Sequence, residues 1–294
     1  MQVSIIIVNY NTFKITCDCI ESVIRFTKNV SYEIILVDNA SPKDNPDEFL
    51  VKFPSIILVK SAENGGFAKG NNLGIQAATG DIILLLNSDT LLTEDSISIA
   101  ANKLQQNNDI GALSVRLVYP DGKLQHTARK FRSIRNEILD VLRMFLMLLP
   151  YKKRSELMLN QYFNGDYSTY SDWVSGAFMM FNRTTLNKLP GKKLDERFFM
   201  YGEDQLWCYQ FFKLGFRSFY LSETTVIHIH NASTEPSKQL QLLKKFLALE
   251  LKIMEYRKGK TLYYYIFSAI LTAKEMLRYY IKVLVFKLFK YRIR

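Results

Sequence analysis

Apolar residues come in short unbroken runs along the first part of the chain, and each run stops at a polar cluster. Val3-Ser4-Ile5-Ile6-Ile7-Val8 leads into Asn9-Tyr10-Asn11-Thr12. Glu33-Ile34-Ile35-Leu36-Val37 leads into Asp38-Asn39-Ala40-Ser41-Pro42, and Ile82-Ile83-Leu84-Leu85-Leu86 into Asn87-Ser88-Asp89-Thr90. Runs this short, apolar on both faces and rich in β-branched residues read as buried strands of a parallel sheet. Between the first two, residues 14–27 place Ile15, Cys19, Ile20, Val23 and Phe26 on one helical stripe. Strand, helix, strand predicts a βαβ unit with a right-handed crossover. Further strands are expected at 56–59 and 111–118, and helices at 95–107 and 205–214. Past the turn Tyr119-Pro120-Asp121-Gly122-Lys123 the alternation breaks. Residues 173–181 read as a strand entering the core, with short strands at 217–221 and 225–229. The apolar stretch 138–149 ends at Pro150 and is too short to span a bilayer. It reads as a core or lid helix, with contact to a lipid-linked partner as the rival.

Charge separates the end of the chain from the rest. Of the net +11, residues 239–294 carry +10, from 13 Lys+Arg and 3 Glu. A nucleic-acid groove built into the main domain is therefore not expected, and an appended surface that meets something anionic is. Residues 237–258 and 262–291 read as amphipathic helices. The longest uncharged run there, Thr261 to Ala273, is 13 residues, short of the roughly 20 needed to span. Lys274, Arg278 and Lys282 recur at i+4. That pattern reads as a helix lying on an anionic leaflet, with an oligomerisation or core-packing helix as the alternative. Cys17, Cys19 and Cys208 make no disulfide framework or zinc set. No basic n-region precedes the first strand, so no signal peptide is expected.

The polar clusters carry the candidate chemistry. In open α/β sheets ligands lie beyond the carboxyl ends of strands. Asn87 and Asp89 offer oxygen ligands on a short loop, which suits Mg²⁺ or Mn²⁺ carrying a phosphate; Asp89 could otherwise simply cap the helix that follows. Asp38 sits where a carboxylate commonly accepts hydrogen bonds from a nucleoside. Asn64-Gly65-Gly66-Phe67-Ala68-Lys69-Gly70-Asn71-Asn72-Leu73-Gly74 could bring backbone amides to a phosphate, although it matches neither a P-loop nor a dinucleotide fingerprint. Phe198-Phe199-Met200-Tyr201-Gly202 leads into Glu203-Asp204, where apolar neighbours would raise a carboxylate's pKa toward a general base's. Acids also suit a helix N-terminus. His228 and His230 share a strand face and could reach one ligand.

These clusters, with Ser175-Gly176-Ala177 and the pairing of His228 with Ser233, occur in an order that resembles glycosyltransferase family 2, and its rhamnosyltransferase-like bacterial branch in particular. The resemblance covers about residues 1–235. It implies a GT-A fold: a nucleotide-binding α/β/α sandwich with a mainly parallel central sheet over 1–235 (1–118 binding the nucleotide-sugar, 119–235 the acceptor), followed by amphipathic helices in a basic tail, 236–294. It implies an inverting transferase that uses a divalent metal, Mg²⁺ or Mn²⁺. Asp89 and His228 are implied as metal residues, and Asp204 as general base with Glu203 beside it. Asn9, Asn11, Asp38, Asn64, Asn72, Asn87 and Ser88 are the nucleotide-sugar candidates, and Trp173, Gly176 and Tyr201 lie on the acceptor side. His230 has no role in the family pattern. One departure is Leu206, where many members carry a second Asp. The partners so implied are a nucleoside-diphosphate sugar, a glycan or lipid-linked acceptor and an anionic membrane surface, with a cytoplasmic place on the inner face of the cell membrane. A catalytically silent nucleotide-sugar-binding scaffold is the alternative in another class.

Overall fold

A computed structural model describes residues 2–229 and 239–290 of the chain. The elements run β1 (Gln2–Asn9), α1 (Phe13–Phe26), β2 (Ser31–Asp38), α2 (Asp47–Lys52), β3 (Ile57–Lys60), α3 (Gly66–Ala77), β4 (Ile82–Asn87), β5 (Thr90–Leu92), α4 (Ser96–Gln105), β6 (Ile110–Val118) and β7 (Leu124–Gln125). Helices α5 (Ile134–Val141), α6 (Arg143–Leu146), α7 (Tyr151–Leu157) and α8 (Leu159–Tyr162) follow. Then come β8 (Thr169–Ser171), β9 (Phe178–Asn182), α9 (Arg183–Leu186), α10 (Glu203–Lys213), β10 (Arg217–His228), α11 (Gln239–Lys258) and α12 (Leu262–Lys290). These fall into two compact units, Met1–Phe131 with Leu159–His230, and Arg132–Met158 with Asn231–Arg294.

The first unit is an α/β/α sandwich of the GT-A kind. Its sheet has the order β3-β2-β1-β4-β9-β6-β10-β5, with β7 on β6 and β8 on β10. Strands β3, β2, β1 and β4 are parallel, as are β6 and β10, and β9 runs antiparallel between β4 and β6. Side chains alternate in their facing along each strand. Ile5, Ile7, Leu36, Leu84 and Leu86 pack on Cys19, Ile20 and Val23 of α1 and Ile97 of α4. Ile6, Ile35, Val37, Ile83 and Leu85 pack on Ile75 of α3 and on Trp207 and Phe211 of α10. Burial on both faces is why these strands carry continuous apolar runs.

Three expected elements differ. The strand read at 173–181 begins only at Phe178, because Arg129 pairs with Trp173 as an isolated bridge and a turn at Gly176-Ala177 intervenes. The two strands read at 217–221 and 225–229 are one strand, β10, whose register against β6 shifts between Leu221 and Thr225. The apolar helix read at 138–149 starts at Ile134, capped by Ser133 accepting from the Asn136 amide, and is divided at Leu142.

The second unit is helical. Leu247 and Met254 of α11 meet Phe267 and Leu271 of α12. Between α5 and α12 lies an ion-pair core. The Lys274 ammonium contacts both the Glu137 carboxylate and Asp140 Oδ2, Arg278 reaches Asp140 at 2.6 Å, and Arg132 reaches Glu137 at 2.9 Å and Glu250 at 3.5 Å. Lys274 and Arg278 therefore do not form the outward basic line with Lys282 that their spacing suggested, because acids on α5 turn them inward. Burial would push the Asp140 carboxyl up, but Arg278 and Lys274 outweigh it and hold it at about 2. Glu137, Asp140 and Glu275 bring carboxylate oxygens as close together as a metal site would. The Lys274 ammonium, however, already stands where a cation would sit.

Candidate active site

The strand order turns at β1. The chain lays β2 and β3 to one side of it and then crosses back to place β4 on the other. Such a switch opens a crevice beyond the carboxyl strand ends, where β1 ends in Asn9, β2 in Asp38 and β4 in Asn87. Asn9 is fully buried and acts as a hub. Its Nδ2 donates to Asp38 Oδ1 (2.9 Å) and Ser41 Oγ, and its Oδ1 accepts from Thr12 and Thr16. Asp38 also accepts from the Ser41 amide at 3.1 Å. Two hydrogen bonds fill half of a carboxylate's acceptor capacity. The neighbouring turns are strained: Asn11 and Ala40 have φ of 56° and 58°. Asn11 meets Lys43 and Ser41 through its side chain and its amide, respectively.

The glycine-rich stretch does not bring amides to a ligand. The Gly65 N–H donates to Asn39 Oδ1, Gly66 to Asn64 Oδ1 and Phe67 to the Phe199 carbonyl. A Cβ on Gly74 would lie 2.4 Å from Ile6, so this glycine lets α3 lie close on the sheet. Asn64 and Asn72 likewise have protein partners. Asn64 Oδ1 also accepts from Asn39 Nδ2, and Asn72 bonds the Leu194 N–H and carbonyl and Glu196 Oε1. Both act here as loop anchors.

Beyond β4, Asp89 is not the cap of the following helix. Asp95 takes that place and accepts from the Ser98 amide. Asp89 Oδ1 instead lies 3.2 Å from His228 Nε2 at the end of β10. On the far side of the ring, His228 Nδ1 is 2.7 Å from Gln125 Oε1, and Gln125 Nε2 donates to the His228 carbonyl at 2.6 Å. That second bond orients the amide, so Nδ1 donates to Gln125 Oε1 and Nε2 faces Asp89. An imidazole nitrogen and a carboxylate oxygen at this separation have the spacing of two ligands of one divalent cation, with remaining positions left for phosphate oxygens and water. Asn87 Nδ2 rests 3.3 Å from the same Nε2, and Ser88 Oγ lies 3.5 Å from Thr12 Oγ1. His230 and Ser233 lie outside the described residues.

The acid pair opens α10. Gly202, at φ 91°, and Tyr201, at φ 70°, turn the chain into the helix, and the Tyr201 side chain is exposed. Asp204 Oδ2 accepts from the Gly176 amide (3.2 Å) and Oδ1 from the Gln205 amide (2.7 Å). Burial pushes the Asp204 carboxyl up, opposed by these amides and by the charge of Arg129. Glu203 is buried, with Oε2 lacking any hydrogen-bond partner. Burial, then the charge of Asp204, pushes it up to about 7. Both carboxyls are thus pushed up by burial, Glu203 to about 7, with the amides of Gly176 and Gln205 opposing the rise at Asp204. The Arg129 guanidinium stacks 4.9 Å over the Trp173 ring, whose buried Nε1 lacks a hydrogen-bond partner. Leu206 is fully buried, so an acid at that position would have to enter the core.

The two halves of the site meet at one turn. Gly176 N–H holds Asp204, and the next residue's carbonyl, Ala177, accepts from the Asn87 amide at 2.9 Å. The sequence reading missed Gln125 and Asn39. Gln125 contacts a histidine 103 residues away, so no local pattern marks it.

An α/β/α sandwich with an acid loop at its strand ends and a carboxylate at a helix start has the architecture of the GT-A glycosyltransferases. Comparison agrees. The description "Glycosyl transferase family 2" matches residues 4–189, and the chain belongs to that family. It is 28% identical over 178 residues to an uncharacterized glycosyltransferase, YwdF, of Bacillus subtilis, covering 59% of this chain and 66% of that one. It is 25% identical over 224 residues to an N-acetylglucosaminyl-diphospho-decaprenol L-rhamnosyltransferase of Mycobacterium tuberculosis, covering 70% of each. Several other relatives are matched over much less of their length, in one case 14%. Among solved structures, the mannosyltransferase PcManGT from Pyrobaculum calidifontis in complex with GDP-Man and Mn²⁺ superposes with a TM-score of 0.59. That match is 16% identical and covers 92% of this chain and 68% of that one.

Proposed function

We propose that this protein is an inverting glycosyltransferase that moves a sugar from a nucleoside-diphosphate sugar, dTDP-rhamnose or a UDP-hexose, to a glycan or lipid-linked acceptor in bacterial surface polysaccharide synthesis. It works on the cytoplasmic side, held peripherally at the inner face of the cell membrane. The observation that carries the reading is the Ser175-Gly176-Ala177 turn, which bonds Asp204 on one side and the Asn87 amide on the other.

In this reading Asp38 receives the nucleoside, with Asn9 and Asn11 shaping its turn and Asn64 and Asn72 anchoring the loop below. Asp89 and His228 would hold a divalent metal, with Asn87 and Ser88 on the same loop. When bound, it would supply charge that offsets the growing charge of the departing diphosphate. Asp204 accepts the proton of an acceptor hydroxyl as its oxygen attacks the anomeric carbon from the opposite face. One displacement inverts that centre, and no covalent intermediate with the protein forms. Burial raises the Glu203 pKa and so lessens the negative charge beside Asp204. Trp173, Gly176 and Tyr201 border the acceptor.

The test uses a panel of nucleoside-diphosphate sugars with Mn²⁺ or Mg²⁺, followed by release of nucleoside diphosphate with an acceptor or, slowly, with water. Release from one donor, lost in Asp204→Asn while that donor still binds, supports the reading. Binding without turnover in the wild type would make the protein a nucleotide-sugar-binding scaffold.

A further inference from the structure

We infer that the helical unit inserts an apolar edge into an anionic bilayer, with the one-turn helix α6 and the exposed half of α12 as the inserted elements. This rests on the peripheral-membrane reading above and names the residues and the mode of contact. Met144, Phe145, Met147 and Leu148 lie on or just after α6, and all are exposed, Phe145 at 68% and Leu148 at 86%. The stretch read as a core or lid helix is therefore uncovered within its unit. On α12 one face changes character along its length. Lys274 and Arg278 turn it onto the acids of α5. At 3.6 residues per turn, Leu277, Ile281 and Val285 continue the same face, and all three are exposed. That continuation has the pattern of a packed helix face without a packing partner.

Charge selects the occupant. The unit carries 20 Lys+Arg and 7 Asp+Glu, a net +13, against −2 for the rest of the chain. A second copy seated on this edge would bring two such charges together, whereas an anionic leaflet attracts them. Nucleic acid would meet the charge but leave the apolar side chains in water. Lys152 and Lys153, exposed directly after the apolar turn, suit the headgroup level beside inserted Phe145 and Leu148. No described helix is long and apolar enough to cross a membrane, so the mode is insertion at the interface.

The test is flotation of the full chain with vesicles of phosphatidylcholine alone and of phosphatidylcholine with 30% phosphatidylglycerol, in low and high salt. The expected result is binding to the anionic vesicles, with partitioning at least tenfold weaker in Phe145→Ser/Leu148→Ser. Because both positions are exposed, the variant should keep the wild-type melting point and donor binding. In Phe145→Trp, anionic vesicles should shift the new emission to the blue, and lipids brominated on their acyl chains should quench it. Vesicle binding that 0.5 M salt abolishes and the double variant leaves unchanged would overturn insertion and leave an electrostatic membrane contact. Absence of vesicle binding, with concentration-dependent dimers that the double variant dissolves, would overturn the membrane reading too and make the edge an interface between copies.

Discussion

Among the described residues, one cluster of titratable groups in each unit brings possible metal ligands together, and the two differ in what stands at their centre. In the helical unit, Glu137, Asp140 and Glu275 converge, and the Lys274 ammonium fills the space. In the sheet unit, Asp89 and His228 converge at 3.2 Å, with Gln125 turning the ring so that Nε2 faces the carboxylate. The first cluster has three acids and is closed by its own cations. The second has one acid and one imidazole and lies past the end of β4, beside the end of β10. The density of acidic residues alone is therefore a poor guide to a metal site. Net charge misleads in the same way, since the proposed chemistry lies in the unit whose charges nearly cancel.

The contrast can be broken most forcefully at the acid pair. Asp204→Asn keeps the shape and removes the base, so turnover should fall by about 10²–10⁴-fold with donor affinity nearly unchanged. Comparable single-turnover rates for variant and wild type would remove Asp204 from the chemistry. In the helical unit, Lys274→Met removes the buried ammonium that Glu137 and Asp140 share and leaves Arg132 on the first carboxylate and Arg278 on the second. It should cost about 3–5 kcal/mol of that unit's stability, read from its denaturant transition, while the sheet unit's donor binding stays intact.

Two smaller effects follow pH, with opposite signs. Glu203 has a folded pKa of about 7, above its unfolded value, so the wild type loses stability as pH rises through that range. Glu203→Gln should therefore melt higher than wild type at pH 8, by about 1–3 kcal/mol, and equally at pH 4. Asp140, held at about 2, contributes stability that is full above about pH 4 and is lost as pH falls through 2. Acid titration should cost the helical unit about 2 kcal/mol over that window, and Asp140→Asn should flatten the loss.

How much was legible in advance depended on how local the cause was. Ile82–Leu86 announces a doubly buried strand by composition, and Asn87-Ser88-Asp89 marks its end, so the sheet and the site loop could be read directly. The turn of Lys274 and Arg278 toward α5 could not, because the acids that turn them lie about 135 residues earlier in the chain. The glycines of 65–74 pointed to a phosphate cradle, yet their neighbours are Ile6, Asn39 and Phe199. A glycine records only that something comes close. The ring orientation of His228 depends on Gln125, which carries no motif.

The most direct test of the central claim is thermal stabilisation by UDP, dTDP and GDP, with Mn²⁺ or Mg²⁺ and with EDTA. A nucleotide at about 100 times its Kd adds about 2.7 kcal/mol, a readily measured rise in melting point. The account predicts a shift with one base that requires the metal and disappears in both Asp89→Ala and His228→Ala, while Lys274→Met retains it. A shift that survives EDTA and both substitutions, or no shift with any nucleotide, would contradict it.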